Sequence, residues 1–209
     1  MNAKTTLVKT ASLIALGLCS LSGAYADQDV SNPWLVRGRA VELNWANAQN
    51  SGLAGSGYNV QAKNVAIPEF DATYFFTKNI ATELVLTYPQ KVNIKINGAY
   101  NGSLKALPPS LIVQYHFTDF GAIKPYVGVG ANYTSFTSQS IDGGGATVKN
   151  SSTGAVAQLG VDYMLDKNWG LNFDIKYIQI KTDVFVGATK EGQLGLNPTA
   201  AALGVTYRF

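Results

Sequence analysis

Side chains able to do chemistry are thinly spread along the 209-residue chain, with one histidine, His116, and one cysteine, Cys19. His116 could take a proton from a nucleophile, with Asp162 or Glu83 as its partner. No serine stands in a recognisable relation to it, so a lone histidine among carboxylates reads as a member of an ion-pair network rather than a general base. Scattered carboxylates with one histidine show no metal-ligand spacing. Gly128-Val129-Gly130 lies inside a stretch of strand character with no helix after it, so it is no nucleotide-binding loop, and Gly143-Gly144-Gly145 reads as a loop tip. These residues predict no enzyme, no cofactor and no metal. The chemistry to be expected is binding and the forming of a barrier.

The elements that carry these residues alternate with a period of two. Eight such segments lie near 34–46, 66–76, 79–91, 105–117, 124–137, 153–165, 169–183 and 196–209, and most exceed the roughly 9–11 residues a tilted strand needs to cross a bilayer. Short links at 77–78, 119–123 and 166–168 alternate with longer Gly-, Asn- and Ser-rich ones at 47–65, 92–104, 141–152 and 184–195. Short turns on one side and long loops on the other are the organisation of an outer-membrane β-barrel with both chain ends in the periplasm. In the last strand Leu203, Val205, Tyr207 and Phe209 share one face and Ala202, Gly204, Thr206 and Arg208 the other, as lipid-facing and lumen-facing residues would.

The N-terminus sets the compartment. Lys4 and Lys9 flank a short polar start, residues 13–21 are apolar, and Ala24-Tyr25-Ala26 offers small residues for cleavage, so residues 1–26 read as a secretory signal and the mature chain as 27–209, a single barrel. Leu18 before Cys19 is too bulky for a lipoprotein signal. Cys19 then leaves with the leader, and no disulfide or thiolate site is expected in the mature chain. Sixteen basic and thirteen acidic residues, with two basic ones in the leader, leave a net charge of +1 and no basic field for nucleic acid. No later window has the ~18 apolar residues of a membrane helix, so only a closed barrel could span a membrane.

A soluble sandwich or lipocalin-type barrel also alternates. The faces argue against it, because Tyr115, Phe117, Tyr163, Leu165, Trp169, Leu171, Tyr207 and Phe209 gather at periplasmic strand ends on the face opposite the charges, as an interfacial girdle. Sorted by depth, the inward face carries a mixed-charge floor of Arg37, Arg39, Asp71, Glu83, His116, Asp162, Asp174, Lys176 and Arg208. Above it the same phase gives Val41, Leu43, Ile67, Ile112, Phe136, Val156, Ile178 and Ile180, an apolar cup and the predicted ligand-binding residues. An eight-stranded lumen is just wide enough to be filled by side chains or to hold one small ligand. The plainer alternative is that the cup is packing and the floor is ordinary ion pairing. Inward Ala200, Ala202, Gly204, Gly128, Gly130 and Gly160 are expected to make room. Pro68, Pro108, Pro109 and Pro198 fall at extracellular strand ends, where each removes a ladder donor; proline commonly begins a strand, which is the plainer reading, and a weak seam in the wall is the sharper one.

Leu107-Pro108-Pro109-Ser110-Leu111, Lys124-Pro125-Tyr126-Val127-Gly128-Val129-Gly130-Ala131-Asn132-Tyr133-Thr134, Gln158-Leu159-Gly160-Val161-Asp162-Tyr163 and the final Tyr207-Arg208-Phe209 resemble the outer membrane protein W family over nearly the whole mature chain. The resemblance implies a monomeric, all-β, eight-stranded antiparallel barrel of the bacterial outer membrane, with a hydrophobic interior and small apolar molecules as its cargo. The expected function is passage of such molecules through the apolar lumen, with the charged floor blocking the way down and release sideways into lipid. A surface-interaction protein with a packed lumen and a narrow ion channel are the alternatives.

Overall fold

Residues 32–209 are described in the computed structural model of the chain, and the signal segment 1–26 and the inferred start at Asp27 lie outside them. Alternation of inward and outward side chains produces β1 (Trp34–Asn44), β2 (Ala48–Gln49), the short helix α1 (Ser51–Gly55), β3 (Val60–Ala62), β4 (Val65–Phe75), β5 (Ile80–Leu86), β6 (Gln90–Ile96), β7 (Ala99–Leu107) and β8 (Ser110–His116). The second half adds β9 (Ile123–Ile141), β10 (Ala146–Val148), β11 (Ser151–Met164), β12 (Trp169–Ile178), β13 (Lys181–Val186), β14 (Thr189–Gly195) and β15 (Thr199–Arg208). β1, β4, β5, β8, β9, β11, β12 and β15 pair antiparallel in that circular order. The ring closes where β1 meets β15, from Leu35↔Arg208 to Asn44↔Thr199. The predicted eight-stranded barrel is present, closed by the pairing of its first and last strands.

Its outer face is the apolar one. Along β12, Trp169, Leu171, Phe173, Ile175 and Tyr177 are all exposed, while the residues between them are buried. Eight steps of ~3.3 Å at a tilt of about 40° cover roughly 20 Å, most of the apolar band of about 25 Å that such barrels present to lipid. At the periplasmic rim the predicted girdle forms edge-on ring pairs, Trp169 with Tyr207 at 4.8 Å, Tyr207 with Phe209 at 5.1 Å and Tyr115 with Phe117 at 5.1 Å. Trp34 and Tyr74 extend it at 4.9 Å. Periplasmic turns are held locally: Asp166 accepts 2.7 Å hydrogen bonds from the Asn168 and Trp169 amides, which keep its carboxyl below the usual range.

The long loops are a correction. Within 47–65, 92–104, 141–152 and 184–195 the chain forms β2, α1 and β3 and long parts of β6, β7, β10, β13 and β14, so the barrel continues upward. Their Gly- and Asn-rich composition belongs to the tips, where Asn97 and Gly98 take φ of 51° and 84° and Gly187 58°. Between the tips Val92, Ile94 and Ile96, like Val184 and Leu194, keep the inward phase and are buried. Conversely, the segments expected to run unbroken over 79–91, 105–117 and 169–183 are each interrupted, at 87–89, 108–109 and 179–180.

Candidate functional site: the layered lumen

Four layers fill the interior. At the periplasmic end Leu35, Phe75 and Ala81 form a small apolar seal, and the Arg208 guanidinium lies 4.4 Å from the Phe75 ring centre.

Above the seal sits an ionic plug. Arg37, fully buried, grips Asp162 with two hydrogen bonds of 3.1 and 2.7 Å and turns its third nitrogen to Asp71 at 3.2 Å, Glu83 at 3.0 Å and Thr73 at 3.0 Å. Arg39 lies one inward position higher and contacts Asp71 at 2.6 Å, Glu69 at 2.9 Å and Glu83 at 3.3 Å. Its approach to Glu69 and Asp71 is ionic rather than hydrogen-bonded in geometry. Lys176 bridges Glu69 at 2.8 Å and Asp174 at 2.9 Å. Neutral groups complete the layer. Gln158 donates to Glu83 and Asp174, Gln114 to Glu83, Asn172 and Thr206 to Asp162, and the Tyr126 hydroxyl to Asp174. A bidentate arginine held in this way is stiff, and breaking one partner leaves a charge stranded in a closed barrel.

His116 is stacked on Tyr126 at 4.9 Å, lies 4.7 Å from Phe75 and meets Gln114 through Nε2 at 2.9 Å. No hydroxyl or thiol nucleophile touches its ring among the described contacts. The glycines expected to make room do not leave space open. A Cβ on Gly160 would overlap the Tyr126 ring, one on Gly204 the Arg39 stem, and one on Gly128 both Gln158 and Ile112. Their missing side chains admit the plug's large ones.

The cup lies above the plug. All eight residues predicted to line it are inside and buried: Val41, Leu43 and Ile67 with Ala200 and Ala202 against β1, and Ile112, Phe136, Val156, Ile178 and Ile180 in the larger cluster. That cluster continues into the upper barrel through Val92, Ile94, Leu104, Ile141, Val148, Val184, Leu194 and Leu196. Between Trp45, Ile94, Phe136 and Leu196 remains a void of about 10 Å³, room for about one water molecule. The top is stoppered by α1. Leu53 is fully buried, and Asn50 caps the helix with an Oδ1 that accepts from the Leu53 amide at 3.1 Å and the Gln193 amide at 2.9 Å.

Among the described residues the ladder is interrupted at the outer edge of the apolar band, around Tyr88. β4 pairs with β5 only from Phe70↔Leu86 downward, and β3 with β6 only from Ala62↔Ile94 upward. The two ladders share one register, so residues 63–69 and 87–93 face each other with a single backbone bond recorded between them, Lys63 N to Asn93 O at 2.9 Å. Pro68 and Pro89 stand on the two sides of this break, and neither has an amide to donate. A hollow of about 310 Å³ on the lipid face reaches the break at Ala66 and runs past Ala40, Ala201 and Leu203. The other prolines open nothing. Pro198 flanks the unbroken β1–β15 ladder, and Asn132 ties β9 to the carbonyls of Pro108 and Pro109 at 3.1 and 3.0 Å.

Sequence reasoning brought together the floor and the cup but missed Glu69, the neutral members of the plug, Pro89 and the upper half of the cup. Glu69 has the inward parity of Asp71 and was findable; the upper cup was hidden by the polar tips around it.

A closed barrel with an apolar exterior, aromatic rim and ion-paired interior defines a transmembrane β-barrel of the outer-membrane kind. The OmpW family model matches residues 33–209, and the chain belongs to that family. It is 41% identical over 186 residues, 85% of this chain and 80% of the relative, to an outer-membrane protein of Sinorhizobium fredii, y4mB. It is 35% identical to outer membrane protein W of Vibrio cholerae, over 65% of this chain and 70% of that protein. Among solved structures, OprG of Pseudomonas aeruginosa superposes with a TM-score of 0.73 at 24% identity, over 90% of this chain and 98% of that one. Outer membrane protein W of Escherichia coli gives a TM-score of 0.61 at 25% identity over 90% and 100%. The chain is an outer-membrane protein, seated in the bilayer by its apolar band.

Proposed function

We propose that the protein is a non-catalytic, monomeric channel for small hydrophobic molecules, which reach the apolar cup from outside, are stopped by the ionic plug and leave sideways through the β4–β5/β6 break. The observation that carries this reading is the stacking of a continuous apolar lumen on an ion-paired layer, with a wall break at the outer edge of the apolar band. A water-filled pore has no need of such a cup, and an apolar molecule gains nothing by meeting buried charges. Family membership, with an OmpW-type fold shared with OprG, is consistent with that role.

Passage requires the packed upper hairpins and α1 to move, since the void is only about 10 Å³. That tight packing favours a second reading, in which the lumen is purely structural and the surface tips meet other molecules. Lysine placed at Leu43 or Ile178 separates the two. A charge in the cup costs far more than the roughly 1.5–3 kcal/mol gained by burying one aliphatic side chain, so uptake of an apolar compound should fall severalfold at equal amounts of folded barrel. Uptake at the wild-type rate in both variants would leave the packed-lumen reading standing.

A further inference from the structure

The outer surface carries a feature that the lumen does not use. β6 and β7 bear Lys91, Lys95 and Lys105 and no acid. Lys91 and Lys105 stand directly opposite each other in the β6–β7 ladder, both exposed. Beside Lys105 on β9 is Thr137, also exposed. Directly opposed like charges destabilise a strand pair, because their Cβ atoms are only about 4.5–5.5 Å apart. No carboxylate relieves this pair: outside the plug, the one ion pair among the described residues is Lys190–Asp183 at 2.9 Å. Two lysines rooted directly opposite each other with no ion pair recorded for either form a place where a bound anion would relieve the repulsion.

Its depth says which anion. Below the β6–β7 tip, where Tyr100 is exposed beside Lys95, the highest exposed large aromatics are Tyr88, Tyr133 and Tyr177, and they mark the top of the apolar band. Lys91 lies three residues above Tyr88 and Thr137 four above Tyr133, about 10–13 Å along the strands, which places the lysine pair among the headgroups of the outer leaflet. Next to Thr137, where β9 and β10 separate, is an open recess of about 520 Å³ lined by Ser135, Thr137, Ser138, Gln139, Thr147 and Asn150. Gln139 is engaged with Val148 and Asn150, and the hydroxyls of Ser135, Thr137, Ser138 and Thr147 are what suits a sugar, with Lys149 in sequence between two of the lining residues, Val148 and Asn150. We propose that Lys91 and Lys105 clamp the phosphate of a phosphorylated-saccharide lipid of the outer leaflet, with the β9–β10 recess receiving its sugar. The clamp is independent of what passes through the lumen.

The test uses the full refolded barrel in neutral detergent, titrated with diphosphorylated lipid A, with the same lipid A after phosphatase treatment and with inorganic phosphate, and read by native mass spectrometry and thermal melting. Lipid A should bind and raise the melting temperature, and the dephosphorylated lipid should bind about tenfold more weakly, as loss of charge-assisted bonds to phosphate requires. The double variant Lys91→Gln/Lys105→Gln should lose the same factor and the melting shift, whereas Lys78→Gln/Lys167→Gln at the periplasmic turns should lose neither. Because the double variant removes a repulsion at the surface, it should fold at least as well as wild type in lipid-free detergent. Equal binding of the two lipid forms, an unaffected double variant, or millimolar phosphate displacing lipid A completely would each overturn the proposal.

Discussion

At the scale of single residues, Arg37 organises the plug, because one guanidinium satisfies Asp162, Asp71 and Glu83 together while its plane lies 4.9 Å from the Tyr126 ring centre. Replacing it with methionine roughly keeps the volume and takes from Asp162 its bidentate ionic partner, while Asp71 and Glu83 keep only Arg39. Breaking a buried pair typically costs about 3–5 kcal/mol, less where water follows into the lumen. Urea unfolding followed by heat-modifiable mobility should show that loss, and planar-bilayer recordings should show a larger ion conductance than wild type. If stability and conductance both match wild type, the plug is no barrier. The floor was legible in the sequence because inward charges in a membrane barrel have nowhere to go but to each other. The neutral partners were not, because Gln114, Gln158 and Asn172 carry no charge to mark them, and their role follows from the inter-strand register that sets them beside Glu83, Asp174 and Asp162.

Among the elements, α1 is the stopper whose removal should matter for passage. Its five residues cannot sustain a helix in isolation, so it is held by Leu53 in the core and by Asn50, which serves both α1 and β14. Asn50→Ala should cost about 1 kcal/mol, as loss of a helix cap does, and loosen the lid without touching the membrane ring. Hydrogen exchange over 51–55 should quicken while β12 and β15 stay protected, and uptake of an apolar compound should rise. Unchanged exchange over 51–55 would mean that α1 is not held by its cap. The sequence could not show this element, since residues 47–65 have neither a long helical period nor a long strand period. The seam was legible in part. Pro68 lies at it, but Pro108, Pro109 and Pro198 look the same in sequence, and only the register tells a proline bridged by Asn132 or flanking an intact ladder from one that borders a gap with Pro89 on its other side.

For the whole molecule, the apolar exterior, the periplasmic girdle and the closure of β15 on β1 could be read from alternation alone, because a bilayer allows no other arrangement of these strands. The height of the barrel could not, since glycine- and asparagine-rich tips mask the inward phase of Val92, Ile94, Val184 and Leu194. The taller barrel makes the lumen an apolar column between α1 and the plug, with the β4–β5/β6 break in its wall at the outer edge of the apolar band. The account therefore stands on that break. Cysteines placed at Pro68 and Tyr88, both exposed and facing each other across it, can be joined by oxidation in the assembled barrel. Uptake of an apolar compound into cells or vesicles carrying the locked barrel should fall well below the rate of either single-cysteine variant and return on adding reductant, with the amount of folded protein unchanged. A locked barrel that transports as fast as its reduced form would contradict lateral release through this wall.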